Sequence, residues 1–351
     1  MTTRGSAVRQ FHDRERVAGA TGLGSGQPIR VYFLGSGEIG LPVLEVRASD
    51  PGICLTGIGS QPDRPSGRRR KLRPTPVSAW AAKRGVAADK PASVNREAFL
   101  ERLREQTPDL VVVVSFGQIL KAGLLDLPPH GCLNVHASLL PRHRGAAPVQ
   151  AAIREGDSET GVSFMRMDEG LDTGPVYRRV RHPVRAGITA GDLEAELGAL
   201  AAQHVGSCIV DVVRHGLQPD AQDDERATYA RKMRKADGRI DWNAPADAIE
   251  RQVRACLPWP RAFFFTERKG RPFRVQVLKA DVSDCAAASV PAGTVVQADG
   301  DTWLVACGEQ CLRLLRVVPE GKKEMAAAAF LRGHPVPPGT SLVETETLAR
   351  D

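Results

Sequence analysis

This chain of 351 residues lacks any apolar run near the roughly 18 residues that a membrane-spanning helix needs, which excludes a helical membrane protein. No apolar segment with a cleavage site stands at its N-terminus, so secretion is not expected. Its seven cysteines are odd in number, scattered and without a CxxC pair, which argues against a disulfide framework or a zinc knuckle and for a reducing cytoplasm. No HExxH, no His/Cys cluster and no carboxylate pair at ligand spacing is present, so no metal is expected. The absence of GxxxxGK[ST] speaks against ATP use, and no internal repeat is visible.

What is present describes an ordinary globular chain. Hydrophobic residues make up 42% and charged residues 25%, too apolar for disorder. The length suits two domains of about 150 residues each. Lys and Arg exceed Asp and Glu by 48 to 41. Such an excess is compatible with a nucleic-acid partner, but a basic surface needs no partner, and the position of the charge matters more.

Residues 1–28 are rich in Gly, Arg and Thr without a period and read as a disordered extension. From Ile29 to His215, short apolar strands alternate with helices, the pattern of an α/β domain with a parallel sheet. The run Leu110–Val114 is wholly apolar, as in a central parallel strand. Leu193, Leu197, Leu200, Val205, Ile209, Val212 and Val213 recur at helical spacing, predicting a helix over 189–215. Residues 216–238 are polar and read as a linker. From 239 to 345, short strands separated by Gly, Pro and Asp suggest a small β-barrel.

Four segments bear on chemistry. GSGEIG at 35–40 fits GxGxxG between a strand and a helix, so a tight βα turn and a dinucleotide site are both open readings. The loop QPDRPSGRRRKLRPTP at 61–76 concentrates Arg64, Arg68, Arg69, Arg70, Lys71 and Arg73 between prolines; it is either a solvated loop or a surface presented to phosphate. Asn134 and His136 fall on one face of a strand, near its carboxyl end, where open α/β sheets bind ligands. An amide and a protonated imidazole there suit a developing oxyanion, or else merely satisfy loop backbone. Asp168 and Asp172 lie in the Gly-rich stretch MDEGLDTGPV, where a carboxylate either makes a turn or pairs with His136 and accepts a proton. His143 reads as a surface residue.

Taken together, QPDRPSGRRRKLRPTPV, PDLVVVVSFGQIL, GCLNVHASLLPRHRGAAPVQAAI, GDSETGVSFMRMDEGLDTGPV, TYARKMRKADGRIDW and LPWPRAFF resemble the folate-dependent formyltransferases, within them the branch that acts on methionyl-tRNA. The resemblance covers about residues 29–335, and NVHASLLPRHRGAAP is its most specific string. It implies transfer of a formyl group from 10-formyltetrahydrofolate to the amino group of methionine on initiator tRNA. It implies a Rossmann-like domain (29–215) followed by an OB-like, tRNA-binding barrel (239–345). The implied catalytic trio is Asn134, His136 and Asp172, and no metal is involved. Phe116, Gly117, Ser138, Leu139, Leu140 and Pro141 are implied at the folate. Arg68, Arg69, Arg70, Lys71, Arg231 and Lys232 are implied at the tRNA.

The family's first turn usually reads GTP-x-F-A, where this chain has GSGEIG, so the aromatic is lost. Glycinamide ribonucleotide formyltransferases share the trio but lack the C-terminal barrel. Sugar-nucleotide formyltransferases can share both and generally lack the Arg-rich loop. An NAD-dependent oxidoreductase resting on GxGxxG would need an acid or an Arg ending the second strand, which is not evident. A non-catalytic RNA-binding protein would leave the N-x-H strand end unexplained and lacks an RRM or KH signature. A cytoplasmic monomer is expected.

Overall fold

The computed structural model describes residues 26–66, 71–284 and 290–342. Residues 1–25 of the expected extension, Arg68, Arg69 and Arg70 of the basic loop, and the end of the chain from 343 lie outside the described residues. The chain divides into two compact units. One comprises Met1–Pro148, Thr160–Pro183 and Glu194–Tyr229; the other comprises Val149–Glu159, Val184–Leu193 and Ala230–Asp351.

In chain order the first stretch forms β1 (Ile29–Gly35), α1 (Gly40–Ala48), β2 (Ile53–Gly59), β3 (Arg64–Ser66), β4 (Lys71–Arg73), α2 (Pro76–Lys83), α3 (Glu97–Glu105), β5 (Leu110–Val114), α4 (Ala122–Leu125), β6 (Cys132–His136), β7 (Arg144–Gly145), α5 (Pro148–Arg154), β8 (Glu159–Arg166), β9 (Val176–Pro183) and α6 (Ala190–Arg214). The first unit is built on a sheet of order β2-β1-β5-β6-β8-β9. β1 pairs in parallel with β2 and β5, and β5 with β6. All five residues of β5 are buried, as an interior parallel strand requires. Tyr32, Leu34, Val111 and Val113 on one sheet face pack against Phe99, Leu100 and Leu103 of α3. Each such aliphatic side chain contributes about 1.5–3 kcal/mol relative to exposure.

The expected all-parallel sheet is corrected at β8, which runs antiparallel to β6 with His136 opposite Ser163 and Leu133 opposite Arg166. β8 therefore sets out from the edge at which β6 ends. A parallel partner would have needed a crossover over the sheet, which this register does not require. The residues following β6 consequently stay at the carboxyl edge, beside those that follow β1 and β5.

The GSGEIG turn lies at that edge. The N–H groups of Ser36 and Gly37 both donate to the Ser115 carbonyl, at 3.2 and 3.3 Å. A Cβ on Gly37 would collide with the Ser115 hydroxyl, so the glycine serves the close approach of two loops. These amides are spent on protein rather than free for a pyrophosphate. Asp63, just beyond β2, is held by Lys90 at 2.7 Å.

The second unit contains α7 (Ala246–Ala255), β11 (Ala262–Arg268), β12 (Arg271–Ser283), β13 (Val295–Asp299), β14 (Thr302–Ala306), β15 (Cys311–Pro319), β16 (Met325–Ala326) and α8 (Ala327–Gly333); the short β10 (Tyr229–Ala230) precedes them. Its antiparallel sheet has the order β11-β12-β15-β14-β13, with β16 flanking β15. The β12–β15 register slips between Val277 and Ala280, an irregularity that bends a strand. Among the described residues no ladder joins β11 to β13. The core gathers Trp242, Phe264, Trp303 and Phe330, with Trp303 stacked on Phe330 at 5.1 Å between centroids. Cys54, Cys132, Cys208, Cys256 and Cys307 are free thiols, and Cys311 is disulfide-bonded. Among the described residues no helix is long and apolar enough to cross a membrane.

Candidate active site

Strand parity places Asn134 and His136 on one face of β6, above Cys132, which is buried in the core beneath them. Both are themselves nearly buried, 8% and 6% exposed. The loop after β8 brings the third member of the trio to them. Asp172 Oδ1 accepts from Asn134 Nδ2 at 3.3 Å, and Asp172 Oδ2 lies 3.7 Å from His136 Nδ1. The same Oδ2 accepts the Gly145 N–H at 2.7 Å. On its other side His136 Nε2 donates to the His143 carbonyl at 3.0 Å. A carbonyl can only accept, so Nε2 carries a hydrogen and Nδ1 is the atom that faces the carboxylate.

Asp172 holds a left-handed backbone, φ +54°, which costs about 1–2 kcal/mol in a residue other than glycine. The neighbouring Gly174 passes so close to Arg166 that a Cβ would enter its carbonyl oxygen. These two features aim the loop back at β6. Asp168 does not join the cluster; its carboxylate accepts from the Gly170 N–H at 3.1 Å and from the Thr173 hydroxyl at 2.8 Å, and so builds the turn.

The segment after β6 is more deeply buried than the sequence suggests. Ser138 is buried, its hydroxyl donating to the Arg142 carbonyl at 2.6 Å, while its own carbonyl accepts from Ser163 Oγ at 2.7 Å. Leu140 packs with Met165 and Val176, and Phe116 lies in the core. Leu139 and Pro141 are half-buried, and Gly117 is exposed with φ +82°. Of the residues expected at the folate, therefore, Leu139, Pro141 and the Gly117 backbone have accessible surface, whereas Ser138, Leu140 and Phe116 are buried.

His143 is corrected from surface to interior: it is 4% exposed, and its N–H donates to Thr228 Oγ1 at 2.8 Å. Arg144 is 2% exposed and pairs with Asp224 at 2.7 Å. Burial would lower its pKa, but the hydrogen bonds and charges of Asp224 and Tyr229 outweigh that and hold it above the ordinary guanidinium value. Burial pushes the Cys132 thiol up to about 12, so no thiolate nucleophile stands beside the trio near neutral pH. The arrangement has a carboxylate to take a proton, an amide and an imidazole to donate to an oxyanion, and no side chain set up for covalent catalysis.

The residues expected at RNA are distributed differently. Lys71 is exposed on β4. Arg231 forms a two-pronged pair with Asp237, at 2.8 and 2.5 Å, and its guanidinium holds that carboxyl below the usual range. Lys232 is exposed and has no ion-pair partner among the described residues.

Comparison with known proteins gives this geometry a family. A family model described as "Formyl transferase" matches residues 41–208, and one described as "Formyl transferase, C-terminal domain" matches 232–335. A methionyl-tRNA formyltransferase of Magnetococcus marinus is 39% identical over 315 residues, 90% of this chain and 98% of that one. One from Methylobacterium nodulans is 41% identical over 316 residues, covering 90% and 99%. Among solved structures, an N-formyltransferase from Helicobacter canadensis, in complex with folinic acid and dTDP-3-aminofucose, superposes with a TM-score of 0.56 at 14% identity, covering 82% of this chain and 99% of that one. HypX from Aquifex aeolicus in complex with tetrahydrofolic acid gives 0.54 at 15% identity, covering 86% and 47%. The structural likenesses are of fold alone, whereas the sequence identities extend over nearly whole chains: the chain belongs to the methionyl-tRNA formyltransferase family and is a formyl-transferring enzyme.

Proposed function

We propose that this enzyme transfers the formyl group of 10-formyltetrahydrofolate to the free amine of methionyl initiator tRNA, acting as a cytoplasmic monomer. The observation that carries the reading is the meeting of Asn134, His136 and Asp172 within hydrogen-bond and ion-pair reach at the carboxyl edge of the sheet. The neutral amine attacks the formyl carbon, forming a C–N bond and a tetrahedral oxyanion. Asn134 keeps a second amide hydrogen for that oxyanion, and His136 donates from Nδ1 in its protonated form. Asp172 keeps His136 oriented and takes the proton that the amine sheds. Collapse breaks the bond to N10 of the folate, and the proton taken up by Asp172 passes to N10, so that tetrahydrofolate leaves. Leu139, Pro141 and the Gly117 backbone form the accessible part of the folate wall.

The 239–345 domain, read as OB-like, and the loop around Arg68, Arg69, Arg70 and Lys71 grip the RNA through phosphates. Arg231 is partly neutralised by Asp237, whereas Lys71 and Lys232, of the residues expected at the tRNA, are exposed. Replacing both by Gln is expected to raise KM for the tRNA several-fold with kcat nearly unchanged. It also flattens the salt dependence of kcat/KM by about 0.7–0.9 log units per log unit of salt for each phosphate left without its lysine. An unaltered slope in steady-state assays over a range of salt would show that these lysines do not touch the RNA.

A further inference from the structure

Gln222 lies in the polar stretch after α6, where composition offers it no task. Its side chain is nevertheless saturated. Nε2 donates to the carbonyl oxygens of Asp172 and Gly174, at 2.8 and 2.6 Å. Oε1 accepts from Nε and Nη2 of Arg144, at 3.1 and 2.9 Å. Carbonyls only accept and a guanidinium only donates, so the orientation of the amide is dictated by its partners. Arg144 is fixed in turn by burial and by Asp224.

The two carbonyls that Gln222 holds flank Thr173, so they belong to the turn in which Asp172 adopts its left-handed backbone. The carboxylate end of the same residue is held by the N–H of Gly145, the residue after Arg144. Asp172 is thus gripped at both ends by the Arg144–Gly145 dipeptide, directly at the carboxylate and through Gln222 at the backbone. Thr228 anchors that dipeptide, accepting the Arg144 N–H on its carbonyl at 2.8 Å.

We propose that Gln222, oriented by Arg144, is the positioning residue that keeps the Asp172 carboxylate aimed at Asn134 and His136. The proposal rests on the reading that Asp172 takes part in formyl transfer. Gln222 acts through the backbone of the turn, its hydrogen bonds going to Arg144 and to the Asp172 and Gly174 carbonyls. Removing its two N–H donors frees the turn to relax, and the carboxylate moves off the imidazole.

The test is a double-mutant cycle with Asp172→Asn, read by single-turnover and steady-state formylation of methionyl-tRNA. Gln222→Met keeps the size and loses the hydrogen bonds to Arg144, Asp172 and Gly174. Gln222→Glu keeps an acceptor for Arg144, loses the two donors and adds a carboxylate charge. Each is expected to lower kcat about 10- to 100-fold, leave KM for both substrates within about twofold, and cost less than about twofold more in the Asp172→Asn background. Equal losses in both backgrounds, or no loss beside wild-type Asp172, would overturn the proposal. So would failure of both variants to fold, which would assign Gln222 to the fold. The single variant Asp172→Asn reports on the parent reading: wild-type rates there would overturn the role of Asp172 itself, whereas slow Asp172→Asn beside fast Gln222 variants would overturn only the role of Gln222.

Discussion

Asp172→Asn is expected to lower kcat by about 10²- to 10⁴-fold while KM for tRNA and for folate changes little. The substitution preserves shape and leaves an oxygen to accept the Gly145 N–H. Asn also tolerates the left-handed backbone at least as well as Asp, so the turn at φ +54° should survive. What disappears is the negative charge facing His136 Nδ1, the capacity to take a proton and the oxygen that accepts from Asn134 Nδ2. A residue that only built the turn would pass this substitution with activity intact. Single-turnover rates, with folding checked by thermal melting, separate the two cases.

The second large effect is expected at Asn134. Asn134→Ala removes a neutral donor from the place where the proposed mechanism puts the oxyanion, and loss of one such donor typically costs about 10²–10³ in kcat. Its burial and its bond to Asp172 Oδ1 mean that truncation also frees one carboxylate oxygen. The melting temperature should fall by only a few degrees, since one hydrogen bond is worth about 0.5–1.5 kcal/mol. A kcat within about threefold of wild type would take Asn134 out of the transition state.

The legible part of this site follows from local periodicity. An apolar strand ending in N-x-H puts Asn134 and His136 on one face whatever the tertiary context. The choice between Asp168 and Asp172 is not legible in the same way. Both sit in one Gly-rich loop, and the decision depends on the approach of Gly174 to the Arg166 carbonyl and on a left-handed residue, neither of which has a period. His143 reads as exposed from its neighbours alone because its partner, Thr228, lies 85 residues away. Gln222 has no signal beyond its polar neighbourhood, and polar neighbourhoods read as linkers. The antiparallel course of β8 escapes the sequence because a strand's residues report its burial and not its direction. Ser138 is expected at a ligand on the strength of resemblance, while its hydroxyl is committed to the Arg142 carbonyl.

The dinucleotide reading of residues 35–40 also turns on neighbours the motif does not encode. Ser36 and Gly37 direct their amides at Ser115, and Asp63 is engaged by Lys90. GxGxxG marks a tight βα turn wherever two loops must come close, and here the second loop follows β5.

The most direct measurement presents the purified protein with 10-formyltetrahydrofolate and, in parallel, charged methionyl initiator tRNA or an amino-sugar nucleotide. Formylation of the tRNA and none of the sugar is expected. Formylation of the sugar alone would keep the fold and the trio but contradict the assigned acceptor and the role given to the basic loop; no transfer to either by folded protein would contradict the catalytic assignment of Asn134, His136 and Asp172 as a whole.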